Sequence, residues 1–209
     1  MKKLIVGVFA SGRGSNFEAI LGAIEQGRLN TEVRLLVSNN ADAGALSVAQ
    51  AYGIPTAVVS KSDFSSREQF IDAMLSTLKA NNVELIVLAG YMKKVPSELI
   101  SAYRNRIVNI HPALLPSFGG KGMYGHYVHE AVIEQGCKVT GVTVHIVDEA
   151  YDHGPIVAQE CVPVAEGDNA ETLAARVLKV EHTIYAKALQ LFAEGRVEVS
   201  GIRVHIRER

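Results

Sequence analysis

Apolar and polar positions along the first half of the chain follow two alternating rhythms. Short apolar runs of strand length are each followed by a stretch whose apolar residues recur three and four apart. The run over 3–9 predicts a strand, and 16–26 predicts a helix with Phe17, Ile20, Leu21 and Ile24 on one face. A second strand over 32–37 ends at Ser38-Asn39-Asn40, and a helix over 43–51 stops at Gly53. A short strand over 56–59 comes next. Ser62-Asp63 then lead a helix to residue 80, with Phe70, Ile71, Met74, Leu75 and Leu78 turned inward. The run over 84–89 is the most apolar and reads as a central strand. Gly90-Tyr91-Met92-Lys93-Lys94 reads as a loop, and Pro96 opens a helix to residue 103. Arg106-Ile107-Val108 reads as the end of a buried fifth strand. Strand and helix alternating in this way argue for a mainly parallel sheet with helices on both faces.

The second half changes rhythm. Residues 116–127 are rich in glycine (Gly119, Gly120, Gly122, Gly125), which predicts a mobile loop, followed by a short helix over 128–134. A strand over 139–147 and another over 156–162 are joined by a loop whose length suits an antiparallel pair. A long helix is expected over 170–194, then a hairpin or edge strands over 197–200 and 202–206 around Gly201. No linker or repeat interrupts the chain, so one domain over 1–209 is expected. The fold class is α/β: a Rossmann-like open twisted sheet, mainly parallel, with antiparallel strands toward the C-terminus.

Composition narrows the classes without naming one. A chain of 209 residues with 48% hydrophobic and 21% charged residues is ordinary for one well-buried domain. A net charge of −1, no tryptophan and few aromatics argue against a nucleic-acid partner. No apolar run approaches the roughly 20 residues of a membrane span. The N-terminal run is too short for a leader and passes into a glycine turn, so it reads as a strand. Cys137 and Cys161 have no metal-ligand spacing and read as reduced structural thiols of a cytoplasmic protein.

Three polar clusters fall where apolar runs end. Asn109-Ile110-His111-Pro112-Ala113-Leu114-Leu115-Pro116 follows the fifth strand, at the end where open α/β sheets bind ligands. Pro112 and Pro116 restrict the backbone around His111. Taken alone, the motif could simply cap a strand. Ser11-Gly12-Arg13-Gly14-Ser15-Asn16 joins the first strand to the first helix and could hold a phosphate on helix-start N–H groups. It could equally be a tight turn capped by Ser15 or Asn16. Phe17 stands where a dinucleotide fingerprint needs glycine or alanine, and no acidic residue ends the second strand. Asp152-His153-Gly154-Pro155 is either a turn or, near His111, a carboxylate that raises the histidine pKa. His126, His129 and His145 match no zinc signature, so no metal is expected. His145 lies in an alternating strand and could be an inward site residue or a satisfied core histidine. Arg67, Lys93 and Lys94 read as surface charges, the two lysines on the expected ligand side; Glu181-His182 reads as an exposed mid-helix pair.

These motifs, with Leu88-Ala89-Gly90-Tyr91-Met92 and His145-Ile146-Val147-Asp148-Glu149, resemble in order and spacing the phosphoribosylglycinamide formyltransferases of purine synthesis, over nearly the whole chain. The resemblance implies formyl transfer from 10-formyltetrahydrofolate, a co-substrate, to the amine of 5′-phosphoribosylglycinamide. It implies a catalytic trio of Asn109, His111 and Asp152. By residue chemistry Asn109 can donate to an oxyanion and a protonated His111 could add a charged donor, with the protonation state of His111 left open. Gly14, Ser15 and Asn16 would bind the acceptor phosphate and Glu181 its amine end. Arg67, Met92, Lys93, Lys94, Val95, Asn109, Asp148, Glu149, Ala150, Tyr151 and Asp152 would line the folate site, with His145 as a further candidate. Lys93 departs from the arginine common in the family, and the 116–127 loop is longer than in some members.

The implied partners are small molecules, with no nucleic acid or membrane; monomer and homodimer both stay open. Formyltetrahydrofolate hydrolases and methionyl-tRNA formyltransferases, on the same fold, are the nearest alternatives. The first is expected to carry a domain before the first strand and the second one after the last helix. A nucleotide-binding regulator without catalysis is the alternative outside enzymes.

Overall fold

The first half forms β1 (Leu4–Phe9), α1 (Ser15–Glu25), β2 (Thr31–Ser38), α2 (Gly44–Ala51), β3 (Thr56–Val58), α3 (Arg67–Ala80), β4 (Leu85–Leu88), α4 (Ser97–Ala102) and β5 (Ile107–His111). These elements come from a computed structural model that describes residues 2–208; both ends of the expected 1–209 domain lie outside the described residues. The second half adds α5 (His126–Glu134), β6 (Val139–Ile146), β7 (Ile156–Pro163), α6 (Ala170–Ala193), β8 (Val197–Ser200) and β9 (Arg203–Ile206). Seven strands form one sheet in the order β3-β2-β1-β4-β5-β6-β7, and β8 with β9 forms a separate hairpin. β1 runs parallel to β2 and β4, and β2 to β3, whereas β6 and β7 are antiparallel. This is the expected α/β sheet. The chain divides into two compact units, one ending at Val108 and the other starting at Asn109, so the division falls within β5.

In the first unit, β1 and β4 are apolar because neither face meets water: Val6, Val8, Phe9, Ile86 and Val87 are fully buried. α1, packed beside β2 and α2, buries the apolar stripe Phe17, Ile20, Leu21 and Ala23. Each such side chain contributes about 1.5–3 kcal/mol relative to exposure. α3 starts later than its apolar periodicity suggests. Asp63 is consumed in a capping box with Ser60 around a single 3-10 turn, Lys61–Asp63. Phe64 is then extended, and the side chain of Ser66 accepts from Gln69 N–H to start the helix proper. Two good caps lie close together, and each starts its own element.

In the second unit α6 buries Leu173, Val177, Ile184, Tyr185 and Leu189 against β6, β7 and α5. Asn169 and Thr172 satisfy the orphan N–H groups at its start reciprocally. The two cysteines are not core thiols: Cys137 is half-buried and Cys161 exposed, both free. Among the described residues, no helix is long and apolar enough to cross a membrane.

Candidate active site

In the first unit, the ends of three strands are tied together by Ser11. Its N–H donates to Gly90 O (3.0 Å), its hydroxyl donates to Asn39 Oδ1, and Met92 N–H donates to its Oγ (2.8 Å). The loop after β1 then turns at Gly14, the N-cap of α1, with φ 90°. A Cβ there would lie 2.9 Å from Ala45 Cβ and 3.0 Å from Ala45 Cα, so only glycine fits by both backbone and space. Gly14, and not Ser15 or Asn16, occupies the N-cap position. The first N–H groups of α1 have no carbonyl of their own helix to bond. Met92, Lys93 and Lys94 are exposed on the loop that Ser11 holds, whereas Val95 is buried and can offer a ligand only its backbone. Arg67 makes a two-pronged ion pair with Glu98 (3.1 and 2.7 Å).

The polar cluster of the second unit is built on adjacent strands. β5 does not end at Val108, as the apolar run suggests, but continues through His111. Asn109 and His111 therefore share one face of a strand, because side chains alternate with period two. His145 on β6 and Asp152 in the loop before β7 complete the group. Asn109 Nδ2 lies 3.1 Å from His145 Nε2, and His145 Nδ1 lies 3.1 Å from Ile146 O. A carbonyl only accepts, so His145 Nδ1 carries the hydrogen, and in the neutral ring Nε2 accepts from Asn109. That bond turns the amide nitrogen of Asn109 toward His145 and leaves its second N–H available. His111 Nε2 donates to Phe118 O at 2.8 Å by the same reasoning. Its Nδ1 lies 3.6 Å from Asp152 Oδ2, and His145 Nε2 is 3.7 Å from Asp152 Oδ1. Gly120 N–H donates to Asp152 Oδ2 at 3.0 Å, so the glycine-rich loop closes on both His111 and Asp152. Asp152 sits at φ 52°, a region that aspartate tolerates better than most residues.

Burial and neighbouring groups oppose one another at His111 and at Asp152. Burial pulls the His111 pKa down; Asp152 and the Phe118 carbonyl push it back up without cancelling the shift. Asp152 does push the His111 pKa up, as expected, but at 3% exposure desolvation of the cation exceeds that attraction and the net shift is downward. Burial pushes the Asp152 carboxyl up, but His145, His111 and the Gly120 N–H outweigh it and hold it below the usual value.

The structure therefore brings together Asn109, His111, His145 and Asp152 among the expected residues of this unit. Asp148 instead bonds Ala150 N–H and His153, and Glu149, Ala150 and Tyr151 are exposed beside them. Glu181 is buried (9% exposed), not on a solvated face as its mid-helix position suggests, because it falls on the inward stripe of α6. Ser11, Thr143, Gln159 and the backbone of Phe118 and Gly120 went unrecognised in the sequence. Ser11 and Gly120 stood within motifs singled out for their glycines, and Thr143 shares strand parity with His145, but none of these marks a role. Among the described residues no group of three or more His, Cys, Asp or Glu side chains is placed to hold a metal ion.

The site thus sets Asn109 and His111 of β5, His145 of β6 and Asp152 of the following loop side by side in an open, mainly parallel α/β sheet. The family described as Formyl transferase matches residues 3–189, and the chain belongs to it. It is 45% identical over 196 residues to a chloroplastic phosphoribosylglycinamide formyltransferase of Vigna unguiculata, covering 94% of this chain and 62% of that longer protein. The phosphoribosylglycinamide formyltransferase of Bacillus subtilis (strain 168) is 39% identical, with 91% of this chain and 94% of that one covered. Glycinamide ribonucleotide transformylase 1 from Symbiobacterium toebii superposes with a TM-score of 0.92 at 41% identity, over 99% of this chain and 95% of that one.

Proposed function

We propose that the chain transfers the formyl group of 10-formyltetrahydrofolate to the amine of 5′-phosphoribosylglycinamide, acting as a single formyltransferase domain. The observation that carries the reading is the grouping of half-buried Asn109 and Asp152 around buried His111 on a chain of this family. In the reaction the amine lone pair forms a bond to the formyl carbon, and the carbonyl π pair moves to oxygen. The second N–H of Asn109 and the Nε2–H of His111 donate to that oxygen, which takes the place of Phe118 O. Ionised Asp152 faces Nδ1 at 3.6 Å and favours positive charge on the ring as the oxyanion forms. Collapse restores the carbonyl and expels the folate nitrogen. That nitrogen receives a proton and the amine loses one, through water or His111.

Gly14, Ser15 and Asn16 take the acceptor phosphate on helix-start N–H groups, a role supported by the glycine-only turn. Glu181 holds the amine end of the acceptor. The exposed segments Met92–Lys94 and Asp148–Tyr151, with Arg67, serve the folate, and no metal takes part. The cytoplasmic setting expected from the sequence belongs to the same proposal. The test offers 10-formyltetrahydrofolate with and without the acceptor. Formylated ribonucleotide, made only when both are present, is the expected product. Free formate released at the same rate without the acceptor would replace transfer by hydrolysis.

A further inference from the structure

Pro112 and Pro116 have no N–H, so the segment between them offers few donors with which to anchor itself. That segment follows His111 directly, yet two side chains hold it. Thr143, fully buried on β6, donates its hydroxyl to Ala113 O (2.6 Å) and accepts from Leu115 N–H (3.0 Å). Gln159 lies opposite Thr143 in the β6–β7 register. Its amide donates one hydrogen to Thr143 Oγ1 (3.0 Å) and the other to Leu115 O (2.9 Å). The hydroxyl thus uses its one hydrogen and both lone pairs, and the amide nitrogen uses both hydrogens. Gly141, on the same face of β6, leaves the space that Leu114 fills: a Cβ there would be 2.6 Å from its side chain.

We propose that Gln159 is a positioning residue for formyl transfer: together with Thr143 it fixes Ala113–Leu115, and through them the backbone that carries His111. Sheet pairing alone does not call for this arrangement, since β6 and β7 are already joined by their ladder. The polar reach of both side chains goes to the segment after the histidine. A histidine that must aim Nε2–H at a developing oxyanion loses most of its effect when its anchor slackens. The proposal rests on His111 being the histidine that serves the transferred group.

The test compares Gln159→Met, of similar length without donors, and Gln159→Glu, of the same shape with an acceptor facing Leu115 O. Thr143→Val, Thr143→Ser and His111→Ala complete the set. Steady-state kinetics, circular dichroism and the NMR titration of the His111 ring are measured on each folded variant. The expected result is a kcat lower by about 10- to 100-fold in both Gln159 variants, the cost of a misplacement of the order of 1 Å. Both KM values should stay within about threefold, since the residue touches neither substrate. The His111 titration should move, and Thr143→Ser should keep most of the activity that Thr143→Val loses. Wild-type kcat in the Gln159 variants alongside a large loss in His111→Ala overturns the positioning role alone. So does a loss of thermal stability with an unmoved His111 titration. Wild-type kcat in His111→Ala overturns the site reading and the positioning role with it.

Discussion

The loop after β1 and the polar face of β5 and β6 are the two regions proposed to meet ligands, and they are built from different material. The loop works with peptide groups: a glycine at φ 90°, helix-start N–H groups and a serine that gathers neighbouring strand ends. The β5–β6 face works with side chains, His111 and His145 buried at 3% and 2% exposure and Asp152 beside them. Backbone donors bind an anion without changing state, which suits recognition. Buried imidazoles and a carboxylate respond to charge that appears during a reaction, which suits chemistry. Changes to the loop should therefore alter binding and stability, and changes to the strand face should alter turnover.

The largest effect is expected at Asp152. Asp152→Asn keeps the size and loses the charge that pushes the His111 pKa up, so kcat should fall by about 10²–10⁴-fold, the range for a positioned acid–base group. Both KM values should change little. The His111 titration, already below its usual value, should move lower still. An unmoved titration with near wild-type kcat would return Asp152 to the role of a turn residue.

Next comes a stability effect inside the second unit. Burial pulls the His129 pKa from 6.5 to about 4, with His126 and His111 adding to the shift. Its Nδ1 is buried without a hydrogen-bond partner. The folded-state pKa lies below the unfolded one, so on acidification the unfolded chain takes up a proton that the folded chain refuses. The stability tied to this group is complete above about pH 6.5 and declines as pH falls toward 4, by about 3 kcal/mol at most. His111, shifted in the same direction, adds to the slope. Urea unfolding midpoints at pH 7.5, 6 and 5 measure it, and His129→Gln should flatten the dependence. An equal slope in that variant would assign the acid sensitivity elsewhere.

Gly14→Ala tests the loop. A left-handed non-glycine residue and a Cβ 2.9 Å from Ala45 Cβ should together cost about 1–3 kcal/mol. The acceptor KM should rise more than the folate KM; equal rises in a folded protein would detach the loop from the phosphate. The smallest change is expected for Lys93→Ala, an exposed point charge worth about 0.2–1 kcal/mol. Folate binding should weaken by a few-fold, more for longer glutamate tails, and the difference should shrink in high salt. A loss that does not respond to salt would remove Lys93 from charge recognition.

The same contrast explains what could be read from residues alone. The strands and helices followed from apolar periodicity, because each element buries one continuous stripe, as α1 and α6 do. The glycine turn and the histidine motif stood out because both interrupt apolar runs abruptly. The site network was less readable because it depends on pairings between distant positions. Gln159 is an ordinary polar residue until the β6–β7 register sets it opposite Thr143. Glu181 looked solvated because no local signal marks which side of a long helix faces inward when a charge interrupts the stripe. The upward push of Asp152 on His111 was readable, but the net downward shift was not, because a sequence shows the neighbouring carboxylate and not the depth of burial.

Steady-state kinetics of Asn109→Ala, with both substrates varied, test most directly whether chemistry resides on the β5–β6 face. Loss of one donor to the oxyanion should reduce kcat by about 10²–10³-fold. Each KM should remain within about threefold, with the circular dichroism spectrum unchanged. A rise in either KM with kcat preserved would make Asn109 a recognition residue and contradict the assignment.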